Sequence, residues 1–188
     1  ATSLLSSTEA ITMNSGTGTC SVTATKAASA GYYAATSAAA SVAAVKAGQT
    51  ITFTPPTTAT YGDAPFAVTA TSSSGLPVTI ASSTPSVCTI SSGTVTVAGA
   101  GTCTLTASQV GSSDYNAAVD VVRDIAVGKA SQTISLSLSR TSGTYNDGVL
   151  TTITASATSG LSVALAVASG PCTISVTTLV INGAGTCV

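Results

Sequence analysis

The sequence predicts an all-β chain built of tandem antiparallel sandwich modules, each about 83 residues long. Two observations predict it. A glycine-cysteine turn, "VAGAGTC" at 97–103, returns as "INGAGTC" at 181–187 and, more loosely, as "NSGTGTC" at 14–20, so that Cys20, Cys103 and Cys187 follow at steps of 83 and 84 residues. Between the turns run short alternating segments rich in Val, Ile and Thr, the pattern of half-buried strands.

Other landmarks keep the step. "QTITF" at 49–53 returns as "QTISL" at 132–136, "TYGD" at 60–63 as "TYND" at 144–147, and "SGLPV" at 74–78 as "SGLSV" at 159–163. "SDYNAA" at 113–118 has an earlier counterpart in "AGYYAA" at 30–35. A period above 80 residues is too long for a solenoid turn and fits one small domain per repeat. The QTI landmark divides the chain into the back part of a unit at 1–48, a complete unit at 49–131 and the front part of a third at 132–188. The out-of-phase ends lead to the expectation that the array is continued or completed by other polypeptide, with 1–48 as a donor segment.

Within the complete unit, strands are expected near 50–54, 67–71, 78–82, 87–90, 94–98, 102–108 and 119–127. Each is bounded by Gly, Pro, Asn or Asp. Seven short strands in about 80 residues favour an immunoglobulin-like sandwich. The Ala-rich run 27–45 has helix propensity, but its alignment with the last strand of the complete unit argues for strand. That run is too poor in Leu, Ile and Phe for a membrane span.

Composition narrows the function. Charged residues make up 6% of the chain against 44% apolar, and Ser plus Thr roughly a third. Such a chain folds, with a neutral, hydroxyl-rich surface that offers little charge repulsion to association. A net charge of −1 leaves no basic footprint for nucleic acid. Histidine is absent, which removes the commonest general base and metal ligand.

The cysteines are the clearest chemistry. Cys88 and Cys103 are 15 apart, as are Cys172 and Cys187, and each pair is expected to form a disulfide within its unit. Two thiolates without histidine partners leave a zinc site short of ligands. Disulfides imply an oxidising, extracytoplasmic compartment. Cys20 has Leu5 where a partner would stand, so it is expected to be unpaired or intersubunit.

The landmarks "QTITF", "TYGD", "SSSGLPVTIASSTPSVCTI", "TVAGAGTCTLTAS" and "DYNAA" resemble the bacterial immunoglobulin-like repeats of the MBG/YDG type, found in tandem in very large secreted and surface-attached proteins. The resemblance is close over 49–128, fair over 132–188 and loose over 1–48. It implies a β-sandwich fold, a stalk, spacer or adhesin context, and no catalytic residues.

The remaining polar clusters read as structure. Tyr61, Gly62 and Asp63, with Tyr145, Asn146 and Asp147, are expected to form turns, since one Asp per cluster is little charge for calcium. Tyr115, between Asp114 and Asn116, is expected to anchor a loop through its hydroxyl. Sugar stacking on Tyr115 or on Tyr32 and Tyr33 has few aromatic neighbours to support it. Asp120, Arg123 and Asp124 are expected as solvent-facing guards of a strand edge, with the two acids on one face and the arginine on the other. A Lys–Asn crosslink through Lys46 or Lys129 and Asn116 lacks an assisting glutamate, since Glu9 is outside the complete unit.

No catalytic group, cofactor or metal is expected. The expected function is structural: an extracellular fibre, stalk or filament of stacked domains, polymerising head-to-tail by strand complementation. The alternative is an adhesin recognising sugar or host protein through its loops.

Overall fold

The computed structural model describes residues 10–145 and 149–188, and these are all-β, with no helix among them. They fall into two compact units, Ala1–Lys129 and Ala130–Val188.

The first unit carries β1 (Thr19–Val22), β2 (Thr25–Lys26), β3 (Ala35–Thr36), β4 (Ala40–Ala43), β5 (Ile51–Phe53), β6 (Thr58–Thr60), β7 (Phe66–Ala67), β8 (Ala70–Ser72), β9 (Thr79–Ser82), β10 (Cys88–Ser91), β11 (Thr94–Val97), β12 (Gly101–Ser108) and β13 (Val121–Gly128). Four strands form a sheet in the order β6-β13-β12-β9, three form β10-β11-β7, and β5 pairs with β8. The long β12–β13 ladder is antiparallel, whereas β6 joins β13 in parallel.

Alternation along these strands makes the core. Leu105 and Ala107 of β12 and Ile125 and Val127 of β13 point to the same side and are buried. They pack with Phe53, Val68 and Val95, so the cluster draws on both the four-stranded sheet and the strands outside it. The Cys88–Cys103 disulfide lies inside this cluster and ties β10 to β12 across two sheets.

The strand at 58–60 is absent from the expected set. "PPTTATYGDAP" looks like pure loop, yet Thr58–Thr60 is β-branched enough to add to β13 in parallel just after Pro55 and Pro56. The segment expected at 67–71 divides into two strands with different partners, β7 on β11 and β8 on β5. The Ala-rich run forms strands, β3 pairing with β2 and β4 with β1.

The second unit carries β14 (Ile134–Leu138), β15 (Thr151–Ala157), β16 (Cys172–Ser175) and β17 (Thr178–Ile181), in one sheet of order β14-β15-β17-β16. Its registers match those of the first unit. Leu136 pairs with Ala155 as Phe53 pairs with Ala70, Leu179 with Thr151 as Val95 with Phe66, and Cys172 with Ile181 as Cys88 with Val97. The hairpin tips differ. Ser92 and Gly93 both take positive φ, which suits a two-residue turn, while Val176 is held at φ 57°, an unfavourable place for a β-branched side chain.

Candidate functional site

Three features carry the chemistry of this chain: two disulfides, a joint between the N-terminal segment and the complete module, and an uncovered sheet face.

The disulfides join Cys88 to Cys103 and Cys172 to Cys187, with Cα–Cα distances of 5.5 and 6.0 Å. In each unit a two-stranded hairpin follows the first cysteine, and a glycine turn after it, at 99–101 and at 183–185, delivers the second sulfur to the first. Cys20 is a free thiol and half-buried.

The joint centres on Asp114. Its carboxylate accepts the Gly16 backbone N–H at 2.7 Å and the Ser15 hydroxyl at 3.1 Å. A Cβ on Gly16 would lie 2.5 Å from Asp114 Cα, so the buried glycine is what allows the two backbones to approach. The chain then enters the module through a short parallel bridge of Ala47 to Tyr115. There the Ala47 N–H donates to Asp114 O at 2.8 Å, and the Asn116 N–H to Ala47 O at 2.9 Å. Lys46 Nζ donates to Ser112 O at 2.7 Å. Hydrogen bonds from Gly16, Ser15 and Ser113 hold the Asp114 carboxyl below the usual carboxylate range, against an opposing effect of desolvation and with a lesser contribution from the Lys46 charge.

Beneath the joint lies a glutamine clasp. Gln49 Nε2 donates to Gln109 Oε1 at 2.6 Å and to Asn116 O at 2.7 Å, while Gln49 Oε1 accepts the Ser74 hydroxyl at 2.5 Å. Gln109 is buried and also accepts the Gly111 N–H. The second unit repeats part of this: the Ser159 hydroxyl donates to Gln132 Oε1. The recurrence of Gln in "QTI" was the one signal in the sequence for this role. Nothing local marked Gln109, Ser15 or Gly16.

Of the other candidates, Tyr145 lines a cavity of the second unit, and the rest of the described ones serve turns or stand exposed. Asp63 closes the "YGD" turn on itself, its Oδ2 accepting the Thr60 N–H at 2.7 Å, with Gly62 at φ 93°. Tyr61 and Tyr145 are exposed, and Asn146 and Asp147 lie outside the described residues, as does Glu9. Tyr115 is half-buried and holds its loop through the backbone, its carbonyl accepting the Ser112 N–H at 3.0 Å. Tyr32 and Tyr33 are exposed side by side. Asn116 Nδ2 reaches Lys46 O, not the Lys46 ammonium, and both residues are exposed.

Asp124 and Arg123 sit on opposite faces of β13. Asp124 accepts the Thr104 hydroxyl across the outer face at 2.6 Å. Arg123 is opposite buried Leu105 on the core side, yet its guanidinium turns outward to the Val122 carbonyl. Since β6 pairs only with 126–128, this part of β13 is an edge, and the exposed charges of Arg123 and Asp124 discourage further strand addition there. Asp120 lies exposed just before the strand.

In the second unit the apolar face of the sheet is open. Ile134, Leu136 and Leu138 of β14 are exposed, although Ile51 and Phe53 at the matching places of β5 pack into a core. A cavity of about 610 Å³ opens beside them, lined by Leu138, Arg140, Thr151, Pro171, Leu179 and Ile181.

Among the described residues no group of three His, Cys, Asp or Glu could hold a metal ion, and no helix is long and apolar enough to cross a membrane. No family model, curated protein or solved structure matches the chain.

Proposed function

We propose that this chain is a structural building block of an extracellular fibre, stalk or filament made of stacked immunoglobulin-like β-sandwich modules. The observation that carries the reading is the joint. Two carboxylate contacts, a backbone bridge and a glycine that permits close approach fix the segment before the module onto its loop end. Such a connection suits a rod that transmits load, because it leaves little freedom for bending between successive modules.

The disulfides support the same reading. Each closes a hairpin into its unit, and the one in the complete module is wholly buried in the core. Covalent ties of this kind belong in an oxidising compartment, and we assign the protein to the cell exterior or surface. The parallel addition of β6 beside β13, with β12 and β9 completing the sheet, supports an immunoglobulin-like arrangement. Exposed apolar β14 and the low surface charge favour assembly of chains head-to-tail. Multi-angle light scattering of the 188-residue chain across a concentration series tests this. Mass should climb without a closed stoichiometry, and a constant monomer mass at high concentration would defeat the head-to-tail reading.

The exposed neighbours Tyr32 and Tyr33 favour one second reading, a loop that stacks on sugars. A glycan array that gives the same signal for the chain and for its Tyr32→Ala/Tyr33→Ala variant would remove it.

A further inference from the structure

The N-terminal ribbon carries a core face without a core. β1 and β4 pair Thr19 with Ala43 and Cys20 with Val42. Shifted by 83 residues, these are the β12–β13 pairs Thr102 with Ala126 and Cys103 with Ile125. The same shift carries Cys20, Val22, Ala24, Val42 and Ala44 onto Cys103, Leu105, Ala107, Ile125 and Val127, all five of which are buried. On the ribbon, Val22 is 41% exposed and Val42 51%. A two-stranded ribbon in water is marginal by itself and needs a surface to cover it.

The second unit leaves the matching side of its sheet uncovered among the described residues. Ile134 is 63% exposed and Leu136 64%, where matching Ile51 and Phe53 are covered by the β12–β13 pair. The Ala168 N–H donates to Val188 O at 2.6 Å, just as Ser83 donates to Thr104 O at 3.1 Å. In the first unit that contact continues as a ladder, Leu105 with Ser82 and Ala107 with Ile80. In the second, Val163, Leu165 and Val167 keep the alternating half-burial of a strand, but 162–168 has no ladder partner among the described residues.

We infer that the occupant of this open face is the ribbon 18–45 of a second copy of this chain, seated as 101–128 sits on its own module. The inference rests on the head-to-tail reading above and adds its register. The template is the interface already present in the first unit, whose β12–β13 side chains are replaced by their own repeat equivalents. In that register Gly18–Ser21 take the places of Gly185–Val188, and Cys20 comes to Cys172 as Cys103 comes to Cys88.

The docking therefore includes a thiol–disulfide exchange. The Cys20 thiolate attacks Cys172 Sγ of the receiving copy, forming one S–S bond while the Cys172–Cys187 bond breaks. Cys187 leaves as a thiolate and takes up the proton that Cys20 released. One disulfide and one thiol enter and one of each emerge, so no external oxidant is needed. The product is a heterologous contact that does not close on itself and propagates as a filament.

The test is disulfide mapping of the concentrated, non-reduced 188-residue chain by gel and mass spectrometry. Expected is a ladder of covalent oligomers, a Cys20–Cys172 crosslinked peptide and a free Cys187 thiol. C20S should abolish the ladder. V42D, at a side chain exposed in the free ribbon, should keep the circular dichroism spectrum and cut the ladder at least tenfold. A Cys20–Cys172 link confined to monomers would overturn the second copy as occupant. Oligomers that retain Cys172–Cys187 and a free Cys20 would overturn the register while leaving the fibre reading standing. Monomers with free Cys20 at every concentration would overturn both, and would leave polypeptide following Val188 in a longer chain as the cover.

Discussion

The Asp114 carboxylate and the Gly16 backbone N–H, 98 residues apart in sequence, meet at 2.7 Å and tie the N-terminal segment to the loop that carries Asp114. The contact has no room for a side chain on the glycine, because a Cβ there would fall 2.5 Å from Asp114 Cα.

Gly16→Ala should therefore loosen the joint without unfolding the module behind it. Overpacking of this sort costs about 1–3 kcal/mol, which here falls on the docking of 10–48. Limited proteolysis should cut that segment faster, while the thermal midpoint of the complete module changes little.

The joint should also weaken in acid. Asp114 has a folded-state pKa below its unfolded value of about 3.9, so its contribution is fully present above that value and is lost as pH falls through the lowered folded pKa. Protection of the Gly16 amide, taken relative to its intrinsic exchange rate at each pH from 6 to 2, should fall only at the acid end. Asp114→Asn should show low protection throughout and no such step.

The Cys88–Cys103 disulfide closes a loop of 15 residues, for which the chain-entropy account gives about 3 kcal/mol. Cys88→Ala/Cys103→Ala should lose about that much or more in chemical denaturation, since both positions are fully buried and truncation there also leaves space in the core.

Val176 offers a gain. It is 89% exposed at φ 57° on a hairpin tip where the matching residue, Ser92, precedes a glycine. Val176→Gly removes the steric penalty without losing packing, and should stabilise the second unit by about 1 kcal/mol, read as a raised unfolding midpoint.

Much of this was legible in the sequence, for identifiable reasons. Glycines and cysteines punctuate the hairpins chemically, so the turn at 97–103, its copy at 181–187 and their disulfide partners stand out at fixed spacing. Strand alternation located β9 through β13 to within two residues, because each strand has one buried side. Thr58–Thr60 was hidden since its partner, 126–128, is remote and parallel, and its neighbours are prolines and a Gly-Asp turn. The joint was hidden for a similar reason. Ser15 and Gly16 look like an ordinary turn, and Asp114 like a loop acid, until folding brings them together. Tyr115 drew notice as an aromatic, but its backbone makes the bridge.

Electron microscopy of the non-reduced 188-residue chain at high concentration tests the central claim most directly. The account predicts unbranched filaments of stacked globular modules whose axial repeat is one chain, disappearing when the ribbon variant V42D is used. A uniform field of isolated particles from the unmodified chain would contradict it.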